Sequence, residues 1–101
     1  MPENRKLGIV EGKIMIIKGL KFVQTCESCP EQYDVFKRDE LVGYVRLRWG
    51  LLICEYPDVG GDCIYSAYIG NGWNGNFENR IQRKKHLKII ANKILDKLKG
   101  D

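Results

Sequence analysis

Between Leu20 and Ile69 five runs of strand-type sequence follow one another with connectors of at most six residues. Residues 20–25, 32–37, 41–49, 51–56 and 63–69 are rich in Val, Ile, Leu, Tyr and Phe, and the third run alternates cleanly. Parallel neighbours need a crossover of about a dozen residues or more, and no connector is that long. Lys37 to Glu40 and the Trp49-Gly50 corner are short enough to close hairpins, and residues 57–62, Pro-Asp-Val-Gly-Gly-Asp, form a strong turn signal. The chain is therefore expected to fold as an antiparallel meander of four or five strands. Within the third run, Val45, Leu47 and Trp49 share one face and Tyr44, Arg46 and Arg48 the other.

A helical period replaces the alternation from about residue 78 to 99. Leu87, Ile90, Ala91, Ile94 and Leu98 recur on one face, with Leu95 at its edge, so this stripe should lie across the sheet. Asn76 or Asn79 can cap its start, and Asn79 with Gln82 three residues later resembles a capping box. The fold class is α+β, an antiparallel sheet with one carboxy-terminal helix packed on one face. Residues 1–14 are polar, hold Pro2, Gly8 and Gly12, and read as a loose arm or an edge strand, with Gly8-Ile9-Val10 leading towards Ile14 to Ile17. Residues 15–101 form the domain proper. At 101 residues the chain can bury one core and not two.

Charge is unevenly placed. Residues 1–77 hold nine Lys/Arg against ten Asp/Glu, a balance of −1, and residues 78–101 hold eight against three, a balance of +5. A basic terminal helix points to an acidic partner or to a solvated face. Arg80, Arg83 and Lys84 line up with the apolar stripe near the helix start, where cations oppose the macrodipole. A carboxylate such as Glu55, Asp58 or Asp62, or an external anion, would relieve that conflict. No apolar run reaches the roughly 18 residues of a membrane span, and no signal-peptide core precedes the domain, so a cytoplasmic location is expected.

Chemistry-bearing motifs are sparse. Cys26 and Cys29 form a C-x-x-C, but eight residues separate Cys54 from Cys63, more than a zinc knuckle uses, so ordinary reduced thiols are expected and no metal or other cofactor. Gly70, Gly72 and Gly75 with Asn76 fit a glycine-rich anion loop between strand and helix, yet the chain lacks the further parallel strand of a dinucleotide site. His86 projects away from the apolar stripe, flanked by Lys85 and Lys88, and is expected in solvent. No nucleophile and base can be paired by spacing, so an enzyme is not expected.

Tyr44, Arg46 and Arg48, joined by Tyr56 and by Tyr65 or Tyr68, would make an aromatic and cationic sheet face. Such a face suits a protein interface or stacked single-stranded bases. With Arg80, Arg83 and Lys84 it is the expected contact surface for a macromolecular partner. A protein is favoured, and single-stranded nucleic acid is the alternative.

The runs Cys29-Pro30-Glu31-Gln32-Tyr33-Asp34-Val35-Phe36, Val42-Gly43-Tyr44-Val45-Arg46-Leu47-Arg48-Trp49-Gly50 and Glu55-Tyr56-Pro57-Asp58-Val59-Gly60-Gly61 resemble a group of short uncharacterised proteins from Gram-positive bacteria and their phages or prophages. In that group a G-Y-[VL]-R-L-R-x-G strand precedes a Y-P-D turn and a closing helix. The resemblance covers roughly residues 20–95. It implies a self-contained cytoplasmic domain carried on a mobile element and brings no catalytic residue with it.

Overall fold

The computed structural model describes residues 14–26, 31–70, 75 and 77–100. The strands are β1 (Ile14–Ile17), β2 (Leu20–Cys26), β3 (Glu31–Lys37), β4 (Glu40–Arg48), β5 (Leu51–Tyr56) and β6 (Asp62–Tyr68), and the helix is α1 (Arg80–Gly100). All neighbours pair antiparallel in chain order, β1-β2-β3-β4-β5-β6. The sheet thus has six strands rather than four or five. The extra one is β1, four apolar residues too short to show a period and held by pairing with β2.

Two hairpins turn on a residue followed by glycine with both residues at positive φ, Lys18-Gly19 (53° and 83°) and Trp49-Gly50 (54° and 74°). That is the pattern of the tight turn whose twist matches its strands. It also corrects the placement of Trp49 beside Val45 and Leu47. Trp49 has left the strand for the turn, and it is 64% exposed while Val45 and Leu47 are fully buried.

One face of the sheet supplies Ile17, Leu20, Phe22, Tyr33, Val35, Val45, Leu47, Leu52 and Cys54 to the core, and α1 covers it with Leu87, Ile90, Ala91 and Ile94. Leu95 and Leu98 pack at the margin. The helix begins as its sequence suggests: the Gln82 amide donates to Asn79 Oδ1 at 2.8 Å, and Gln82 Oε1 accepts from the Glu78 amide at 2.8 Å. Gly43 sits in the middle of β4 under the helix. A Cβ there would lie 2.7 Å from Ile94 Cδ1, so the absent side chain lets α1 approach the sheet closely.

Candidate functional site

The strand registers resolve the opposite face of the sheet into rows. Arg48 pairs with Leu51 and Leu51 with Tyr68; Gln32 pairs with Arg46, Arg46 with Ile53 and Ile53 with Ser66; Asp34 pairs with Tyr44 and Tyr44 with Glu55. Cross-strand partners share a face. Tyr44, Arg46, Arg48, Ile53 and Tyr68 therefore stand together, with Asp34 and Glu55 on either side of Tyr44. Among the described residues no element covers this face. Tyr68 is 81% exposed, and Tyr44, Arg46 and Ile53 are half-buried. The Arg46 Nε is shielded from solvent and has no hydrogen-bond partner among the described residues.

Of the expected aromatic companions, Tyr68 belongs to this face and Tyr56 and Tyr65 do not. Tyr56 is two residues beyond the buried Cys54 on the same side of β5, packs on the core margin, and lies under the Lys97 ammonium at 5.8 Å. Tyr65 pairs with Cys54 and packs against the same core. Alternation alone left the register of β6 open, and pairing across β5 settles it.

The basic helix residues divide. Arg80 and Lys84 are exposed on α1. Arg83 turns inward to Glu31 at the start of β3, its Nε donating to Oε2 at 2.8 Å and its Nη2 to Oε1 at 3.3 Å. Glu31 is 1% exposed and also accepts from the Tyr33 hydroxyl at 2.5 Å and the Phe77 amide at 3.1 Å, while its own amide donates to the Gly75 carbonyl at 2.7 Å. Burial, then the hydrogen bond to Glu31, pushes the Tyr33 phenol up, so it serves as a neutral donor. The same carboxylate raises Arg83 further.

The counter-charge at the helix start is thus Glu31 and none of the three carboxylates expected from sequence. Glu55 instead accepts from the Gly60 amide and Asp58 from the Val59 amide, both within the turn before β6. Glu31 was legible only as an acid alternating with Tyr33 and Val35 on the apolar side of its strand. Its partner lies 52 positions away, beyond the reach of any local pattern.

Gly72 and Asn76 of the glycine-rich loop lie outside the described residues. Gly70 has a positive φ of 71°, and Gly75 is held through its carbonyl by Glu31. Cys29 is likewise outside them. Cys54 is buried, its thiol pushed up to about 12 by desolvation first and then by Cys63 and Glu55, whereas Cys63 is exposed and Cys26 half-buried. Among the described residues no three potential ligands gather into a metal site.

His86 is a correction. It is half-buried, its Nδ1 3.0 Å from the Tyr65 hydroxyl and its ring stacked on Phe77 at 6.1 Å, because the segment entering α1 folds Phe77 back onto the sheet. Burial, and secondarily Lys85, lowers its pKa from 6.5. The unfolded chain then binds the proton more tightly, so stability present above about pH 6.5 is lost as pH falls from there through the lower folded-state value. His86→Gln is expected to flatten that acid limb in denaturant titrations run between pH 7.5 and pH 5. An unchanged slope would show that His86 does not set it.

The fold and face define a two-layer α+β protein, one helix on a six-stranded antiparallel meander whose second face is open among the described residues. Compared with protein-family models, curated proteins and solved structures, the chain matches none.

Proposed function

We propose that this chain is a non-enzymatic binding module whose open sheet face engages another protein. The observation that carries this reading is the grouping of Tyr44, Arg46, Arg48, Tyr68 and Ile53 on a face that no described element covers. Tyr and Arg are the residue types that most often anchor protein interfaces, because each brings a large apolar surface with a polar tip. Asp34 and Glu55 on the same face favour a protein over a polyphosphate chain, which their carboxylates would repel.

The alternative, single-stranded nucleic acid, is supported by the exposed Arg80, Lys84, Lys85 and Lys88 of α1. That helix covers the other side of the sheet. A strand lying on Tyr44 and Arg46 would therefore meet those cations only by wrapping round the edge.

The test is affinity capture from host lysate with and without nuclease, at two salt concentrations, followed by affinities of the captured species for variants. Arg48→Ala and Tyr68→Ala are exposed and should fold normally. Together they are expected to weaken a protein complex by about thirtyfold or more, the scale of an interface anchor. Lys84→Ala with Lys88→Ala should leave it unchanged. Capture abolished by nuclease and by high salt, and weakened by the lysine variants instead, would transfer the function to nucleic acid and to α1.

A further inference from the structure

We infer that a second copy of this chain docks on the face of Tyr44 and Arg46, the two sheets packing face to face about a two-fold axis. The inference rests on the reading of that face as a protein interface and names the protein.

An antiparallel sheet with one face in water alternates apolar and polar residues along each strand. β5 does not. Leu52 and Cys54 enter the core, while Leu51 and Ile53, on the opposite side, are also apolar and only half-buried. Beside them Tyr68 is 81% exposed and Arg48 is exposed. A strand apolar on both sides has the pattern of one covered on both sides.

The charges on this face select the occupant. Across β3–β6 it carries Arg46 and Arg48 against Asp34 and Glu55, which balance. The excess cations of the chain, Arg80, Lys84, Lys85 and Lys88, are exposed on α1 across the sheet, so two copies can meet here without bringing them together. The two signs are also sorted into separate rows. Arg46 stands in the row of Gln32, Ile53 and Ser66, and Asp34 and Glu55 flank Tyr44 in the next row, about 7 Å along the strands.

A two-fold axis running across the strands, midway between those rows, lays the Arg46 row of each copy over the Tyr44 row of the other. Arg46 then meets the ring of the other copy's Tyr44, with that copy's Asp34 and Glu55 carboxylates to either side. The contact is made twice, once in each direction, as a self-complementary interface requires. Among the described residues neither Arg46 nor Arg48 makes an ion pair within its own chain. Packed sheets lie about 10 Å apart, a gap that facing Arg and Tyr side chains fill.

The experiment is analytical ultracentrifugation of the intact chain over about a hundredfold range of concentration, up to that of an NMR sample, with amide shifts recorded on dilution. The mass is expected to rise to that of a dimer, with shift changes at residues 44–55 and none at residues 84–93 of α1. Arg46→Glu and Glu55→Arg should each weaken self-association about tenfold or more. Mixed in equal amounts, the two variants should pair with each other almost as well as the unaltered chain does with itself, which a disturbance inside one sheet cannot bring about. A monomer throughout would overturn the inference. If Arg48→Ala with Tyr68→Ala then still weakens a captured complex, the reading of the face as a protein interface stands without it; if not, both fall. A dimer whose dilution shifts map to α1, or variants that fail to pair when mixed, would overturn the inference as well, because the contact would lie elsewhere.

Discussion

Glu31→Ala is expected to lower the unfolding free energy by about 3–5 kcal/mol, the range for removing one member of a buried ion pair. The carboxylate is 1% exposed and gathers four donors: the Arg83 Nε and Nη2, the Tyr33 hydroxyl and the Phe77 amide. The Arg83 side chain is 26% exposed, so its guanidinium can regain water when its partner is lost. Tyr33 is 1% exposed and Phe77 4%, and their donors cannot. Most of the loss should therefore fall on the junction where the segment entering α1 meets β3. Glu31→Gln fills the same space and keeps one accepting oxygen, but turns the other into an NH2 donor that meets donors, so it should recover only part of the loss. Urea titrations of both variants, with amide exchange at Phe77, check this. A Glu31→Ala loss below about 1 kcal/mol would mean that the cluster is not holding the helix start in place.

Gly43→Val should be the second large effect, near the upper end of the roughly 1–3 kcal/mol expected for overpacking. Valine suits a strand, so local propensity favours the substitution. The added atoms would, however, enter the space already held by Ile94, whose Cδ1 is 2.7 Å from the first of them, and Val35 Cβ closes the other side at 3.4 Å. The helix must lift or Ile94 must leave its rotamer. Gly43→Ala should cost less, because the obstructing atom is the end of a flexible side chain and alanine reduces the freedom of the unfolded chain. Ile94→Val removes that same Cδ1. Alone it should cost about 0.5–1.5 kcal/mol, and the double variant with Gly43→Ala should be no less stable than Ile94→Val by itself. Additive losses in this cycle would show that the contact is not where the cost arises.

The candidate face illustrates how far alternation reaches. That Tyr44, Arg46 and Arg48 share a side follows from their spacing and holds in the structure. Which residues of the next two strands join them depends on register, and the pairing of Leu51 with Tyr68 and of Cys54 with Tyr65 sets it. Tyr68 was thus separable from Tyr65 only after folding, and Tyr56 moved to the core side. Trp49 and His86 were misplaced for related reasons. A turn interrupts the strand period at Trp49, and His86 acquires neighbours from β6 and from the segment before the helix that a helical projection cannot contain.

The sequence by itself determined the antiparallel order, the closing helix, its buried stripe and its cap. Each rests on interactions between residues a few positions apart, where period, turn length and capping chemistry are written directly. Only the tertiary structure decided that Glu31 answers Arg83, that Gly43 lets the helix in, and which tyrosine stands with Arg46. Those outcomes depend on which distant segments come to touch, and side chains far apart along the chain acquire partners only when the whole sheet has closed against its helix.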